Sequence, residues 1–413
     1  MSTKHSKAAA EFLKNKKQAA WHDETLWLVR AKRDRLSKEV PEWEELRNMA
    51  CATKLYSNSH LDELLVEFEN NARANGAHVY WAKDADEYCN IVYNILNQHG
   101  VKHFIKSKSM LAEECELNPF LESKGIEVVE SDLGERILQL MHLKPSHIVL
   151  PAIHIKREQV GELFEREMGT EKGNFDPTYL THAARKNLRQ KFIHAEAAMT
   201  GANFAVASTG EIVVCTNEGN ADMGTSQPKL QIAAFGMEKI VPDRESLGVF
   251  TRLLARSATG QPITTYTSHY RKPREGGELH IIIVDNGRSK ILADPKHIKT
   301  LNCIRCGACM NTCPVYRRSG GYSYTYFIPG PIGINLGMLK APLHYYDNVS
   351  ACSLCYSCSF VCPAKVDLAE QIYLWRQDLD KLGKADRMKK VMSGGMEFMM
   401  KRPSISVSYT HLT

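Results

Sequence analysis

Apolar residues recur at helical spacing through the first 75 residues of the chain. One stripe among lysines consists of Ala8, Ala9, Phe12 and Leu13, and residues 21–36 and 61–68 continue the period. This pattern predicts a helical N-terminal segment over residues 1–75. The stretch 21–36 also carries several arginines, so its polar face would pack on the rest of the protein, bind a partner or face solvent. We favour a solvated basic face.

Short apolar runs replace this pattern from residue 78 onwards. Strands are predicted at residues 78–82, 102–106, 126–129, 147–150, 204–207, 211–215, 231–234, 239–241, 263–268 and 279–284. Helices are predicted between them at residues 84–99, 107–117, 133–140, 159–168, 176–200 and 247–255. Strands and helices that alternate at this spacing indicate βαβ units around a mainly parallel sheet. The sequence therefore predicts an α/β domain over residues 76–292.

Eight of the twelve cysteines follow a spacing that occurs twice. The pattern C-x2-C-x2-C-x3-C-P starts at Cys303 and again at Cys352. A [4Fe–4S] cluster needs four thiolates, and in paired runs of this kind three come from one run and the fourth from the other. The first ligand set would then be Cys303, Cys306, Cys309 and Cys362. The second ligand set would be Cys352, Cys355, Cys358 and Cys313.

Two [4Fe–4S] clusters explain this spacing better than other cysteine chemistry does. Structural zinc usually takes two separated cysteine pairs, and disulfides need an oxidising compartment. Because every ligand position is a cysteine, no iron is left open for a substrate, and the clusters would conduct electrons. Three arginines flank the first run: Arg305, Arg317 and Arg318. Their positive charge would raise the reduction potential of the neighbouring cluster, or the side chains would simply face solvent or a partner.

The cysteine runs define a mainly helical, ferredoxin-type domain over residues 293–385. Between the runs, residues 328–333 are rich in proline and glycine and predict an irregular loop. A helix is predicted at 368–382, and Ser-Gly-Gly at 393–395 breaks the helical pattern. Residues 386–413 form the predicted C-terminal tail, whose last eight residues lack periodicity and are either frayed or not native to the protein.

Composition and charge limit the classes of function. The chain has 413 residues and a formal charge of +6, which is mild for this length and does not favour nucleic-acid binding. No apolar run approaches the length of a membrane helix, and no signal peptide is recognisable. Thiolate clusters fit a reducing compartment, so we expect a cytoplasmic protein, peripheral to a membrane only through a partner. The G-x-G-x-x-G fingerprint of a nicotinamide or flavin site does not occur.

Polar residues after the predicted strands are candidates for substrate binding. Lys108 lies at a strand-to-helix junction, where helix N-termini bind anions, although a solvated lysine is the commoner case. Glu130, Asp132 and Glu135 follow the next strand and would orient a hydroxyl group or cap a helix. Two polar turns would cradle a small anion or be ordinary turns, at residues 208–211 and 216–220.

The α/β motifs and the paired cysteine runs together are similar to the iron–sulfur proteins of bacterial lactate-utilisation operons. The α/β motifs that carry this resemblance lie at residues 107–110, 130–135, 145–149, 151–154 and 207–211. The resemblance implies a LUD domain with a fold like that of the ribose-phosphate isomerase and CoA-transferase group. The family's recurrent positions fall on Lys108, Glu130, Thr209, Glu211, Asn217 and Glu218. We assign none of them a catalytic role.

Two departures from the family pattern affect what the resemblance implies. Residues 220–222 read Asn-Ala-Asp where an arginine is expected, so an arginine-held carboxylate is in doubt at that loop. The chain also ends sooner after the second cysteine run, which implies that a C-terminal partner-binding segment is missing from the sequence.

The resemblance implies a subunit of a three-protein complex that oxidises L-lactate to pyruvate. The partners would be a cysteine-rich redox protein and a second protein with a LUD domain, and the substrate a small 2-hydroxy acid. The two [4Fe–4S] clusters would carry the electrons onward. One alternative is a non-catalytic electron-transfer or docking subunit of another 2-hydroxy-acid dehydrogenase or quinone-linked complex. Another is an anion-binding, isomerase-like enzyme with sensing clusters.

Overall fold

The computed structural model describes residues 3–384 and 387–402. Four helices open the chain: α1 (Lys4–Lys14), α2 (Lys16–Lys38), α3 (Trp43–Ser59) and α4 (Leu61–Ala74). Side chains cap the first two, because Thr3 Oγ1 accepts from the Ser6 N–H at 3.1 Å and Asn15 Oδ1 accepts from the Gln18 N–H at 3.0 Å. The helical N-terminal segment predicted from the apolar period is therefore confirmed over the described residues.

The chain then alternates between strands and helices. The strands are β1 (His78–Ala82), β2 (His103–Lys106), β3 (Glu127–Glu130), β4 (Ala197–Gly201), β5 (Phe204–Val206), β6 (Glu211–Thr216), β7 (Leu230–Gly236), β8 (Ile240–Val241), β9 (Tyr266–Tyr270) and β10 (Glu278–Val284). The helices of this part are α5 (Ala85–Gln98), α6 (Met110–Glu114), α7 (Leu117–Ser123), α8 (Leu133–Met141), α9 (Arg157–Met168), α10 (Pro177–His194), α11 (Asn220–Ser226) and α12 (Arg244–Ala258).

Six strands form a wholly parallel sheet in the order β1-β10-β7-β4-β2-β3. Its central strands are mostly apolar, since helices cover both faces of a parallel sheet; every residue of β7 is buried. The other four strands form a mixed sheet in the order β8-β5-β6-β9. The α/β prediction is confirmed, and the carboxyl ends of the parallel strands all meet at one edge.

Two predictions in this domain were wrong. Residues 147–150 form turns, because the buried His147 Nδ1 accepts from the N–H groups of Val149 and Leu150, both at 3.0 Å, and coils the backbone around the ring. The helix predicted over 176–200 ends at His194, and β4 begins at Ala197. The two alanines of β4 favour a helix by propensity, but the place of this strand between β2 and β7 outweighs that weak preference.

The remaining helices are α13 (Arg288–Leu292), α14 (Ala308–Thr312), α15 (Pro314–Ser319), α16 (Gly330–Lys340), α17 (Pro342–Tyr345), α18 (Ser357–Val361), α19 (Leu368–Lys381) and α20 (Arg387–Met400). The cysteine-bearing domain is therefore mainly helical, as the sequence predicted. The loop predicted at 328–333 is helical from Gly330, because Pro331 is tolerated in a first turn and Ile332 and Ile334 are buried. The break predicted at 393–395 lies inside α20, since glycine weakens a helix without ending it.

The N-terminal helices pack on the cysteine-bearing domain. Leu26 of α2 is fully buried in the same core as Tyr316 and Met310, and Arg33 is only 6% exposed. The solvated basic face favoured for residues 21–36 is therefore wrong, because α2 covers α14 and α15. The eight-residue tail discussed above lies outside the described residues. Among those residues, no helix combines the length and apolar character needed to span a membrane.

Candidate metal centre and the adjoining cavity

The two cysteine runs adopt the same backbone turn. In the first, Arg305 and Gly307 have φ of 60° and 76°, and in the second Leu354 and Tyr356 have φ of 53° and 59°. These left-handed residues lie between the thiols and turn the chain sharply before α14 and α18 begin. Three closely spaced thiols of each run can therefore face one centre, as a cluster site requires.

The distal cysteine of each run faces the other run. A small cavity of about 20 Å³ is lined by all four members of the first ligand set, Cys303, Cys306, Cys309 and Cys362. In the second ligand set, burial raises the pKa of the Cys313 thiol to about 11, and the charges of Cys352 and Cys355 contribute to the rise. Burial likewise raises the pKa of Cys358, with contributions from the other three thiols of this set. The shared lining of the small cavity supports the crossed pairing for the first set, and the mutual influence of the four thiols agrees with it for the second.

Backbone N–H groups point at the cysteine sulfurs. The N–H of Arg305 donates to Cys303 Sγ at 3.4 Å, and that of Leu354 donates to Cys352 Sγ at 3.3 Å. The distal Cys362 accepts in the same way from Val366, at 3.4 Å. Such donors stabilise thiolate charge and tune iron–sulfur centres. The residues present therefore fit two [4Fe–4S] clusters.

Two arginines of the N-terminal helices bind the carboxyl end of α18. Arg33 donates to the Val361 carbonyl at 3.0 Å, and Arg47 donates to the carbonyls of Cys362 at 3.0 Å and Phe360 at 2.8 Å. Cations are favourable there because the last carbonyls of a helix carry partial negative charge. The sequence did not indicate these contacts, since more than 300 residues separate the partners.

The arginines that flank the first run have three different environments. Arg305 is partly buried, with its side chain 12% exposed and 3.9 Å from Glu238. Arg317 pairs with Asp23 at 2.6 Å, whereas Arg318 is 75% exposed. Of these three arginines, Arg305 places its charge beside the first ligand set, whereas Arg318 faces solvent.

A cavity of about 530 Å³ lies at the carboxyl ends of the parallel strands. Parallel α/β sheets bind their ligands at this edge. The loop of residues 148–153 lies on one side of it, and the first cysteine run lies on another. Its polar lining includes Lys108, Asp132, Glu135, Asn217, Glu218, Lys239, Arg305 and Cys306. The cavity and the first ligand set thus share Cys306.

Three acidic groups surround Lys108 in this cavity. Lys108 Nζ lies 2.7 Å from Glu135 Oε1, and the Lys108 backbone N–H donates to Asp132 Oδ2 at 2.6 Å. Burial, followed by the charge of Glu135, raises the pKa of Asp132 to about 8. Burial also raises the pKa of Glu218, which accepts from the Leu133 N–H at 3.1 Å. The site therefore holds a carboxyl group that can exchange a proton near neutral pH.

Lys239 supplies a cation that the sequence analysis did not single out. It lines the cavity, and its ammonium group forms no hydrogen bond or ion pair in the part of the chain that the structure describes. Burial lowers its pKa to about 8, opposed by the charge of Glu238. Lys239 follows β7, so the sequence could have indicated it as a cavity residue only if β7 had been recognised as a central strand.

The structure divides the six family positions into two groups. Lys108, Asn217 and Glu218 line the cavity, and Asn217 Nδ2 donates to Gln261 Oε1 at 3.0 Å. The other three, Glu130, Thr209 and Glu211, do not line it.

The three positions outside the cavity have partners within the fold. Glu130 forms a buried ion pair with Lys106 at 2.7 Å. The carbonyl of Thr209 accepts from Asn75 at 2.9 Å. The fully buried carboxylate of Glu211 pairs with Arg244 at 2.6 Å and His269 at 3.1 Å. Each of these contacts stabilises the fold away from the cavity.

Comparison with known families identifies the class of protein. Residues 65–291 match the LUD domain, and residues 299–366 match a 4Fe-4S dicluster domain. The chain belongs to the LUD-domain family, in the group that carries a 4Fe-4S dicluster domain. The dicluster match and the eight thiols support two [4Fe–4S] clusters as its cofactors.

Its relatives are proteins named for lactate utilisation or electron transport. It is 42% identical to Lactate utilization protein B of Geobacillus thermodenitrificans over 377 residues, 89% of this chain and 79% of the relative. It is 44% identical to Lactate utilization protein B of Bacillus pumilus over 85% of this chain and 76% of the relative. It is also 41% identical to the uncharacterized electron transport protein YkgF of Escherichia coli, over 86% and 76%.

Proposed function

We propose that this chain is the iron–sulfur subunit of a complex that oxidises L-lactate to pyruvate. The observation that carries the proposal is the shared Cys306, which belongs to the first ligand set and lines the cavity. Electrons released in the cavity would thus arise beside a cluster site. The relatives named for lactate utilisation supply the substrate class, a small 2-hydroxy acid.

The cavity offers some of the groups that this oxidation needs, and the partners would supply the rest. Conversion of lactate to pyruvate releases two electrons and two protons, and each bound [4Fe–4S] cluster takes up one electron. The ammonium group of Lys239 would bind the substrate carboxylate, because no protein group pairs with it among the described residues. The carboxylate form of Asp132 would accept one of the two protons, since its pKa of about 8 suits a general base, and the other proton would pass to a partner protein or to solvent.

The second ligand set lies nearer the surface than the first. Cys306, Cys309 and Cys362 are buried, whereas Cys355 is exposed. Phe360, which is 73% exposed, lies on the adjoining helix α18. We infer that electrons enter at the first set and leave from the second to a partner. A cysteine-rich redox protein is the expected acceptor, and a second LUD-domain protein would complete the complex.

The proposed location is the cytoplasm, with any membrane contact made through a partner. All twelve cysteines, each within the described residues, are free thiols in the structure. Thiols persist in reducing compartments, where iron–sulfur ligands must also stay reduced.

The test is anaerobic reduction of the cluster-loaded protein by lactate, followed by EPR, with and without the two partners. We expect cluster reduction only in the assembled complex. Reduction by lactate of the chain alone would mean that its cavity holds a complete catalytic site. Reduction by neither mixture, with dithionite still effective, would favour an electron-transfer or docking subunit of a different redox complex.

A further inference from the structure

Three histidines and one glutamate meet at the amino ends of two neighbouring strands. His78 opens β1 and lies opposite His280 of β10 in the sheet register. Their rings stack with centroids 4.8 Å apart. Glu278 lies two residues before His280 and therefore on the same face of the strand. The candidate ligand atoms of these three residues all lie within 4.8 Å of one another, and His99 approaches the same carboxylate from the end of α5.

The hydrogen bonds of His99 call for a positive ion between its ring and Glu278. His99 Nδ1 lies 2.8 Å from the Ile95 carbonyl oxygen, so this nitrogen carries a hydrogen. His99 Nε2 lies 3.3 Å from Glu278 Oε1. In a neutral ring, the lone pair of Nε2 would face a carboxylate oxygen, which is unfavourable. Either a proton or a metal ion resolves this repulsion.

His280 is held in a similar way. Its Nδ1 lies 3.1 Å from the Tyr80 hydroxyl, and its Nε2 lies 3.0 Å from Glu278 Oε2. In one tautomer the hydroxyl donates to Nδ1 and Nε2–H donates to Glu278; in the other the hydroxyl oxygen accepts from Nδ1–H, which leaves the Nε2 lone pair free for a ligand bond. Oxygen partners of this kind orient metal-binding histidines in known sites.

We propose that His78, His99, His280 and Glu278 bind one divalent transition-metal ion of the zinc type. Three imidazole nitrogens and one carboxylate oxygen are donors that zinc takes in tetrahedral sites. Zinc–nitrogen distances of about 2.0–2.1 Å place neighbouring donors roughly 3.4 Å apart. The exposed ring of His78 would therefore move inward on binding. The remaining donors already converge on Glu278.

The position of this site separates it from the proposed redox chemistry. It lies at the amino ends of β1 and β10, whereas the large cavity lies at the carboxyl ends of the same sheet. A bound ion would fasten the end of α5 to these two strands without touching a substrate. Zinc should therefore raise the unfolding temperature and leave the cluster EPR signals unchanged.

The test is a calorimetric zinc titration of the cluster-loaded full chain, with X-ray absorption at the zinc edge to identify the ligands. We expect one zinc per chain with only nitrogen and oxygen ligands. The exposed His78→Ala and His99→Ala should each weaken binding, and Tyr80→Phe should weaken it about 10- to 100-fold. His103→Ala is the matched control, because His103 also faces a carboxylate, Glu127 at 2.8 Å, but belongs to no group of three or more candidate metal ligands among the described residues.

Three results would overturn the proposal. Sulfur ligands at the zinc edge would place the ion on the cysteines. Equal affinities for the parent chain and His78→Ala or His99→Ala would place it elsewhere. Absence of zinc binding would leave His99 and Glu278 as an ion pair whose cation is a proton. Neither His78 nor His99 is fully buried, so their variants should fold and keep the comparison valid.

Discussion

Asp132 holds its proton at neutral pH because its carboxyl group is buried beside Glu135. Below pH 8 the group is mostly protonated and cannot accept a proton, and above pH 8 it is mostly ionised. We expect lactate-dependent cluster reduction in the complex to increase with pH up to about 8 as Asp132 ionises, and to decrease at higher pH, because Lys239, whose pKa is also about 8, then loses the charge that would bind the substrate carboxylate. The Asp132→Asn variant should lose this increase and react roughly 10²- to 10⁴-fold more slowly.

The control for this measurement is Asp62→Asn, which changes an exposed aspartate on α4. It should keep both the rate and the pH profile of the parent chain. An unchanged profile in Asp132→Asn would assign the titration to another group and remove Asp132 from the proposed proton transfer.

Glu130 stabilises the fold and does not line the cavity. Its carboxylate and the Lys106 ammonium are both buried and lie 2.7 Å apart. Removing one partner of a buried ion pair leaves the other charge uncompensated, at a cost of about 3–5 kcal/mol. We expect Glu130→Gln to lower the unfolding temperature, whereas Lys106→Met combined with Glu130→Leu should recover most of the loss.

Thermal unfolding followed by circular dichroism would measure both variants. If Glu130→Gln kept its stability and lost only lactate-dependent reduction, Glu130 would have to reach the substrate in a conformation other than this one.

At the scale of elements, the sequence predicted correctly those helices and strands whose ends are set by neighbouring residues in the chain. β1 was predicted with its observed bounds, because it is a short β-rich run followed by the cap of α5 at Asp84. β4 was missed because its alanines resemble a helix and only its neighbours make it a strand. The crossed cysteine sets could be suggested from spacing, since chemistry fixes the number of thiols around a cluster.

The contacts that sequence reasoning missed are those between distant elements. Arg33 and Arg47 resemble solvent-facing helix residues, yet they bind carbonyls of α18. The cavity likewise combines Lys239 with Lys108, which lie 131 positions apart in the chain. No local sequence pattern predicts that these two lysines meet, because their proximity depends on the order of the strands in the sheet.

The arginine contacts of α18 lead to a prediction about redox potential. The positive charge of Arg47 beside Cys362 favours the reduced, more negative cluster. We expect Arg47→Met to lower the midpoint potential of one cluster by on the order of tens of millivolts, from Coulomb's law at an effective dielectric constant near 20.

A potentiometric EPR titration would measure this shift. Arg318→Met is the control, because Arg318 is 75% exposed and solvent screens its charge. Equal potentials in the parent chain and Arg47→Met would mean that the contact serves only to hold α18 in place.

At the scale of the whole molecule, the two cysteine sets lie between the cavity and the protein surface. The cavity shares Cys306 with the first set, and the second set includes the exposed Cys355. The N-terminal helices α1 and α2 pack on the cysteine-bearing domain. We propose that this order gives electrons a route from a substrate site in the cavity to a partner, and this is the central claim.

Freeze-quench EPR of the assembled complex mixed with lactate tests that claim most directly. The comparison is between the parent chain, Lys239→Gln in the cavity, and Lys102→Gln, an exposed lysine outside the cavity. We expect lactate to reduce the clusters of the parent and Lys102→Gln complexes but not those of Lys239→Gln, while dithionite reduces all three. Full reduction of Lys239→Gln by lactate would contradict the account, because the electrons would then enter by a route that bypasses this cavity.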